Sequence, residues 1–98
     1  MVLEHAFMSS TYRAIAEEII HLVMGNYAAW RIGITHDPDQ RKQSWASRGY
    51  NVSRWHQYPI RSHEEAWNLY WYFTRDRGIL RDRPVNINPN EPVFLYLF

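Results

Sequence analysis

The segment WRIGITHDPDQRKQSW, residues 30–45, gathers residue types that handle phosphate. Arg31 and Arg41 carry guanidinium groups, whose planar fork of N–H donors matches phosphate oxygens in pairs. His36 brings an imidazole, the side chain that most readily serves as a base near neutral pH. Gly33 leaves room for another group to approach the backbone. Asp37 and Pro38 open a helix, and its first turn offers free N–H groups and the positive dipole end to an anion. These types suit holding a phosphate. Cutting a phosphodiester asks for more: an activated water, charge stabilisation and usually a metal. Neither arginine can take up a proton, so a base would have to come from His36 or a tyrosine.

The elements that must position these residues can be read around them. Trp30, Ile32 and Ile34 alternate with Arg31, Gly33 and Thr35, which predicts a strand over residues 28–35 with one apolar and one polar face. Asp37 is a strong N-cap, Pro38 suits the first helical position and Gln40 completes a capping box. The helix so started runs from Pro38 to about Ser47, places Arg41, Trp45 and Arg48 near one face, and ends at Gly49. Upstream, Ile15, Ile19, Leu22 and Val23 share one face of a helix from about Tyr12 to Met24. Ser10 or Thr11 would cap it, and Gly25-Asn26 would stop it. Downstream, VSRWHQYPI, residues 52–60, reads as a second strand. Ser62-x-x-Glu65 then opens the longest helix, from His63 to about Arg77, with Gly78 as its stop. Ala66, Leu69, Tyr70 and Phe73 give that helix a core face. Trp67 and Trp71 form a second stripe, either a second buried side or a surface for self-association or a ligand. RDRPVNINPN reads as a turn-rich loop, and VFLYLF, residues 93–98, as a buried closing strand. The expected fold is a single α/β domain over residues 1–98, with a small three-stranded mixed sheet flanked by three helices.

Composition narrows the chemistry. A net charge of +1 on 98 residues excludes binding nucleic acid by bulk charge alone. The basic residues are ten Arg and one Lys, and they are unevenly spread. Residues 31–61 hold Arg31, Arg41, Lys42, Arg48, Arg54 and Arg61 against only Asp37 and Asp39. With no cysteine, thiolate catalysis and Cys-based zinc sites are impossible. No two histidines stand at i, i+4, so no helical metal motif exists. Trp45, Tyr50, Trp55 and Tyr58 interleave with Arg48 and Arg54, a mixture that suits stacking bases and clamping phosphates of a single strand, or a core roofed by arginine stems. The N-terminal MVLEHAFMSS has no signal-peptide pattern, and no apolar run is long enough for a membrane span, so a cytoplasmic location without membrane contact is expected.

RIGITHDPDQR followed by HEEAWNLYWYF, within residues 28–80, resembles the GIY-YIG nuclease superfamily. In that family a strand ending in Y-[IV]-G leads through a turn to a helix with an essential Arg, and a later helix reads E-A-x-x-x-E. The step from Gly33 to Arg41 matches, and Glu65-Ala66-Trp67-Asn68-Leu69-Tyr70 lies in the later register. The matches stop there. Arg31 stands where the family has its YIG tyrosine, Tyr70 stands where it has the metal-binding Glu, and a helix precedes the strand instead of a G-I-Y strand. VFLYLF could fill that strand's place in the sheet, with Tyr96 for the missing tyrosine, as in a circular permutation.

The resemblance therefore implies a GIY-YIG-like domain that has lost catalysis. It would bind DNA or RNA, or a protein partner, through Arg31, Arg41, Lys42, Arg48 and Arg54, with no cofactor and no metal site. Two other functions are compatible with the residues. One is a divergent endonuclease needing magnesium, with Arg41, His36 and a tyrosine, Tyr27 being the nearest before Gly33. The other is an interaction module or homodimer that docks through Trp67 and Trp71.

Overall fold

A computed structural model describes residues 10–98; residues 1–9, within the N-terminal segment read above, lie outside the described residues. The chain runs α1 (Ser10–Val23), a 3-10 turn (Tyr27–Ala29), β1 (Arg31–Thr35), α2 (Pro38–Ser47), β2 (His56–Ile60), α3 (His63–Trp71), β3 (Leu80–Arg81) and β4 (Val93–Leu97). Among the described residues the fold is α/β, with three α-helices and a mixed sheet in the order β2-β4-β1-β3. β4 runs antiparallel to both β1 and β2, and β3 runs parallel to β1.

The sheet therefore has four strands where three were expected. The additional one, β3, begins the stretch read as loop. Two residues are too few to show an alternation, and they pair through long-range bonds, Leu80 N–H to Trp30 O and Asp82 N–H to Ile32 O. The second strand is also shorter than residues 52–60, because residues 51–55 turn before it starts. Ser10 and Thr11 are already helical, so neither sits at the N-cap of α1.

Other terminus signals act as read. The Asp37 carboxylate accepts the Gln40 N–H at 3.1 Å, with Pro38 in the first turn. Ser62 Oγ accepts the Glu65 N–H at 3.1 Å. Gly78, at φ +89, follows the last helical turn. Between Trp71 and Gly78 the helix widens into a π-helical turn, Tyr72–Asp76, in which Thr74 Oγ1 donates to Tyr70 O at 2.8 Å.

The sheet is covered on both faces. Alternation sends Ile32, Ile34, Tyr58, Ile60, Val93, Leu95 and Leu97 to one side, where Ile15, Ile19 and Val23 of α1 and Ala66, Leu69, Tyr70 and Phe73 of α3 join them. Ile19, Ile32, Leu69, Phe73, Leu95 and Leu97 have no exposed area, and each such side chain contributes roughly 1.5–3 kcal/mol of burial energy. The opposite face, with Gly33, Tyr96 and Phe98, carries a smaller aromatic cluster with Trp45 of α2 and Trp55. The predicted polar face of β1 is thus a second packed face. No helix among the described residues is long and apolar enough to cross a membrane.

Candidate functional site

The second face is where Arg31, Gly33 and Arg41, read above as suited to phosphate, collect. Register puts Tyr96 opposite Gly33 across β4 and β1. The Tyr96 ring lies over Gly33 so closely that a Cβ there would collide with the ring and its hydroxyl. Trp55 covers the other side of that ring, stacked at 4.7 Å with planes 6° apart. Tyr96 is consequently 1% exposed.

The Tyr96 hydroxyl meets a carboxylate from the sheet edge. Asp82, one residue beyond β3, accepts from it. Arg41, on the first turn and a half of α2, donates to the same carboxylate with Nη2 at 3.0 and 2.9 Å and with Nε at 3.3 Å. Its Nε also reaches Tyr96 Oη at 3.2 Å. The Trp45 Nε1–H adds a bond to Asp82 at 3.0 Å. Three side chains from α2 and β4 thus converge their donors on one carboxylate, in the manner of an anion site already filled. Arg41 is 29% and Asp82 11% exposed at the side chain, so the pair is only partly screened by water.

The other arginines of this face are held differently. The Arg31 guanidinium lies 4.7 Å from the Trp45 ring centroid and 5.1 Å from that of Tyr50. Arg48 lies 4.1 Å from the Trp45 ring. Arg54 lies 3.9 Å from the Trp30 ring and donates to Ala29 O at 2.7 Å. Among the described residues no carboxylate pairs with Arg31, Arg48 or Arg54. Ring faces support their charge, joined at Arg54 by the Ala29 carbonyl. Arg31, Tyr50 and Arg54 border one shallow cleft, and Tyr50 is 45% exposed there. Lys42 stands exposed on α2.

Several predicted residues sit elsewhere. His36 uses both ring nitrogens on the segment before β4: Nδ1–H donates to Pro92 O at 2.7 Å and Nε2 accepts from Asn88 N–H at 2.8 Å. His63 supports the same segment by donating to Glu91 O at 2.7 Å. Tyr27 packs against Phe73 at 6.5 Å, beside the α1–α3 core, and is not brought to Arg41. Tyr58 joins that core too, away from Trp45, Tyr50 and Trp55. Its hydroxyl is buried with no partner among the described residues, and burial, with Glu18 nearby, pushes its pKa up to about 12. Trp67 and Trp71 are half-buried and stack on each other at 6.4 Å.

Asp82 is the participant the sequence hides. It reads as one acid in an arginine-rich run, and nothing local says that it turns to Arg41, which is far away in the chain. A divalent cation would find one carboxylate here, already bonded to donors from Arg41, Tyr96 and Trp45. Tyr70, in the register of the metal-holding Glu, has its hydroxyl 3.4 Å from Asp82 O and offers no carboxylate. Among the described residues no three His, Asp or Glu side chains converge on a common point. These residues do not fit a bound cation. No protein-family model, curated protein or solved structure matches the chain.

Proposed function

We propose that this chain is a non-cutting relative of the GIY-YIG nucleases that binds single-stranded nucleic acid through Arg31, Lys42, Arg48 and Arg54. The state of Tyr96 carries the reading. Beside Gly33 it stands where a catalytic tyrosine would be wanted, yet it is 1% exposed and its hydroxyl is engaged by Asp82. Arg41 is spent on the same carboxylate. Neither a free base nor a free guanidinium remains at that point for phosphodiester chemistry.

The kinship draws support from the spacing of Gly33 and Arg41 and from β4 lying beside β1 with Tyr96 opposite Gly33. The binding draws support from the unpaired guanidiniums laid over Trp30, Trp45 and Tyr50. Cations that track phosphates, beside an exposed ring on which a base can stack, suit a single strand.

The test is a combined binding and cleavage assay on labelled single- and double-stranded DNA and RNA, with magnesium and manganese. Binding without cutting is expected, tighter for single strands and falling with salt. Replacing Arg31, Arg48 and Arg54 together by Ala should lower the salt slope by about 2, at about 0.7 per phosphate contact on a single strand. Metal-dependent cutting that disappears in Arg41→Ala would restore the endonuclease reading. Absence of binding would leave docking to a protein as the use of this face.

A further inference from the structure

The other side of the sheet carries a cavity with its own chemistry. Trp67, Tyr70 and Trp71 pack on one another: the two indoles lie 24° from parallel, and the Tyr70 ring meets them edge-on at 5.7 and 5.1 Å. Together they wall an open pocket of about 400 Å³, bordered on its other side by Arg81, Arg83 and Pro84. Alternation along the edge segment explains the rim. Asp82 turns its carboxylate to Arg41, while the arginines before and after it line the pocket. Arg81 lies 5.8 Å from the Trp71 ring. Among the described residues no carboxylate pairs with Arg81 or Arg83. Both are exposed, whereas the indoles are half-buried.

An aromatic wall facing two unpaired guanidiniums complements a ligand that joins a planar ring to an anion. The ring stacks on indole, and the guanidinium forks take the anion oxygens. The size lies within the usual range for small-molecule pockets, roughly 300–1,000 Å³. The geometry points to a nucleotide site in which Trp67 or Trp71 stacks a nucleobase and Arg81 and Arg83 hold the phosphate of a nucleoside monophosphate, either free or as the phosphorylated end of a single strand. The site lies across the sheet from Arg31 and Arg48, which rest on Trp45, shares no lining residue with Arg54, and stands whether or not those residues bind a strand.

The experiment is a titration of the isotope-labelled full chain, following the indole N–H signals of Trp67 and Trp71, each assigned with a Trp→Phe variant. The probes are nucleoside monophosphates, the matching nucleosides, inorganic phosphate, and a short single strand with and without a 5′-phosphate. Monophosphates should shift both signals saturably. Nucleosides and inorganic phosphate should each bind roughly tenfold or more weakly, since each lacks one half of the recognition. The double variant Arg81→Ala with Arg83→Ala should lose a similar factor while keeping the wild-type spectrum elsewhere. Tighter binding of the phosphorylated strand than of the monophosphate assigns a strand end, and the reverse assigns a free nucleotide. The proposal is overturned if millimolar monophosphate leaves both signals unmoved, if inorganic phosphate binds as well as the nucleotide, or if the double variant binds unchanged. The Arg31, Arg48 and Arg54 variant should leave these shifts intact, so the two sites fail separately.

Discussion

Gly33 and Tyr96 face each other across β1 and β4, and the Tyr96 ring occupies the space that a side chain at position 33 would need. Trp55 stacks on the far side of the ring and Asp82 holds its hydroxyl, so the ring has nowhere to retreat. Gly33→Ala should therefore destabilise the fold by about 1–3 kcal/mol, the usual cost of overpacking. Urea denaturation measures it. Wild-type stability in this variant would mean that Tyr96 moves aside freely and is not fixed over β1.

Asp82 collects donors from Arg41, Tyr96 and Trp45. Asp82→Ala leaves these donors converging on nothing and should cost about 2–4 kcal/mol, below the upper range for a broken buried pair because Arg41 is partly solvated. It should also make the protein respond to anions. Sulfate or phosphate should raise the melting temperature of the variant more than that of the wild type, since an oxyanion replaces the carboxylate. Equal responses would argue against a preformed anion pocket beneath Asp82.

His36 fastens the segment before β4 through one donor and one acceptor. His36→Phe keeps a ring and removes both bonds. Hydrogen exchange of the Asn88 amide should speed up markedly, while amides in α1 stay protected. Unchanged exchange at Asn88 would free His36 from this anchoring role and return it to consideration as a base.

Tyr58 carries a buried hydroxyl with no partner among the described residues and a pKa pushed up to about 12 by burial. The unfolded chain releases this proton near pH 10, whereas the folded one holds it. The stability linked to Tyr58 is thus fully present below pH 10 and is lost as pH rises from about 10 to about 12, by about 2–3 kcal/mol. Tyr58→Phe should flatten that alkaline fall and leave stability at neutral pH equal or higher, since an unbonded polar group is removed. Denaturation curves across this range check both signs.

Local signals carried most of the fold. Asp37-Pro38, Ser62-x-x-Glu65 and the glycines at 49 and 78 mark helix ends through bonds and backbone angles confined to neighbouring residues. The alternation of Ile32 and Ile34 marks β1 for the same reason. What the sequence withheld was non-local. β3 has two residues and exists because β1 offers it partners. The polar side of β1 became a packed face because Tyr96 and Trp55 arrive from distant segments to cover Gly33. Arg41 was legible as an important residue, but its partner was not. A salt bridge across such a chain separation leaves no trace in spacing, so Arg41 read as a free cation when it is a neutralised one.

The central place of β4 has a kinetic meaning. In the sheet β4 joins β1 to β2, with Ile32 pairing to Leu97 and Ile60 to Val93. During synthesis both strands and the three helices of the described residues leave the ribosome before the segment that joins them. Their apolar faces must wait, and the closure that unites them spans most of the described chain, an arrangement that slows folding and invites chaperone capture. The same segment delivers Tyr96, so the Arg41–Asp82 cluster gains its last member only in the step that closes the sheet.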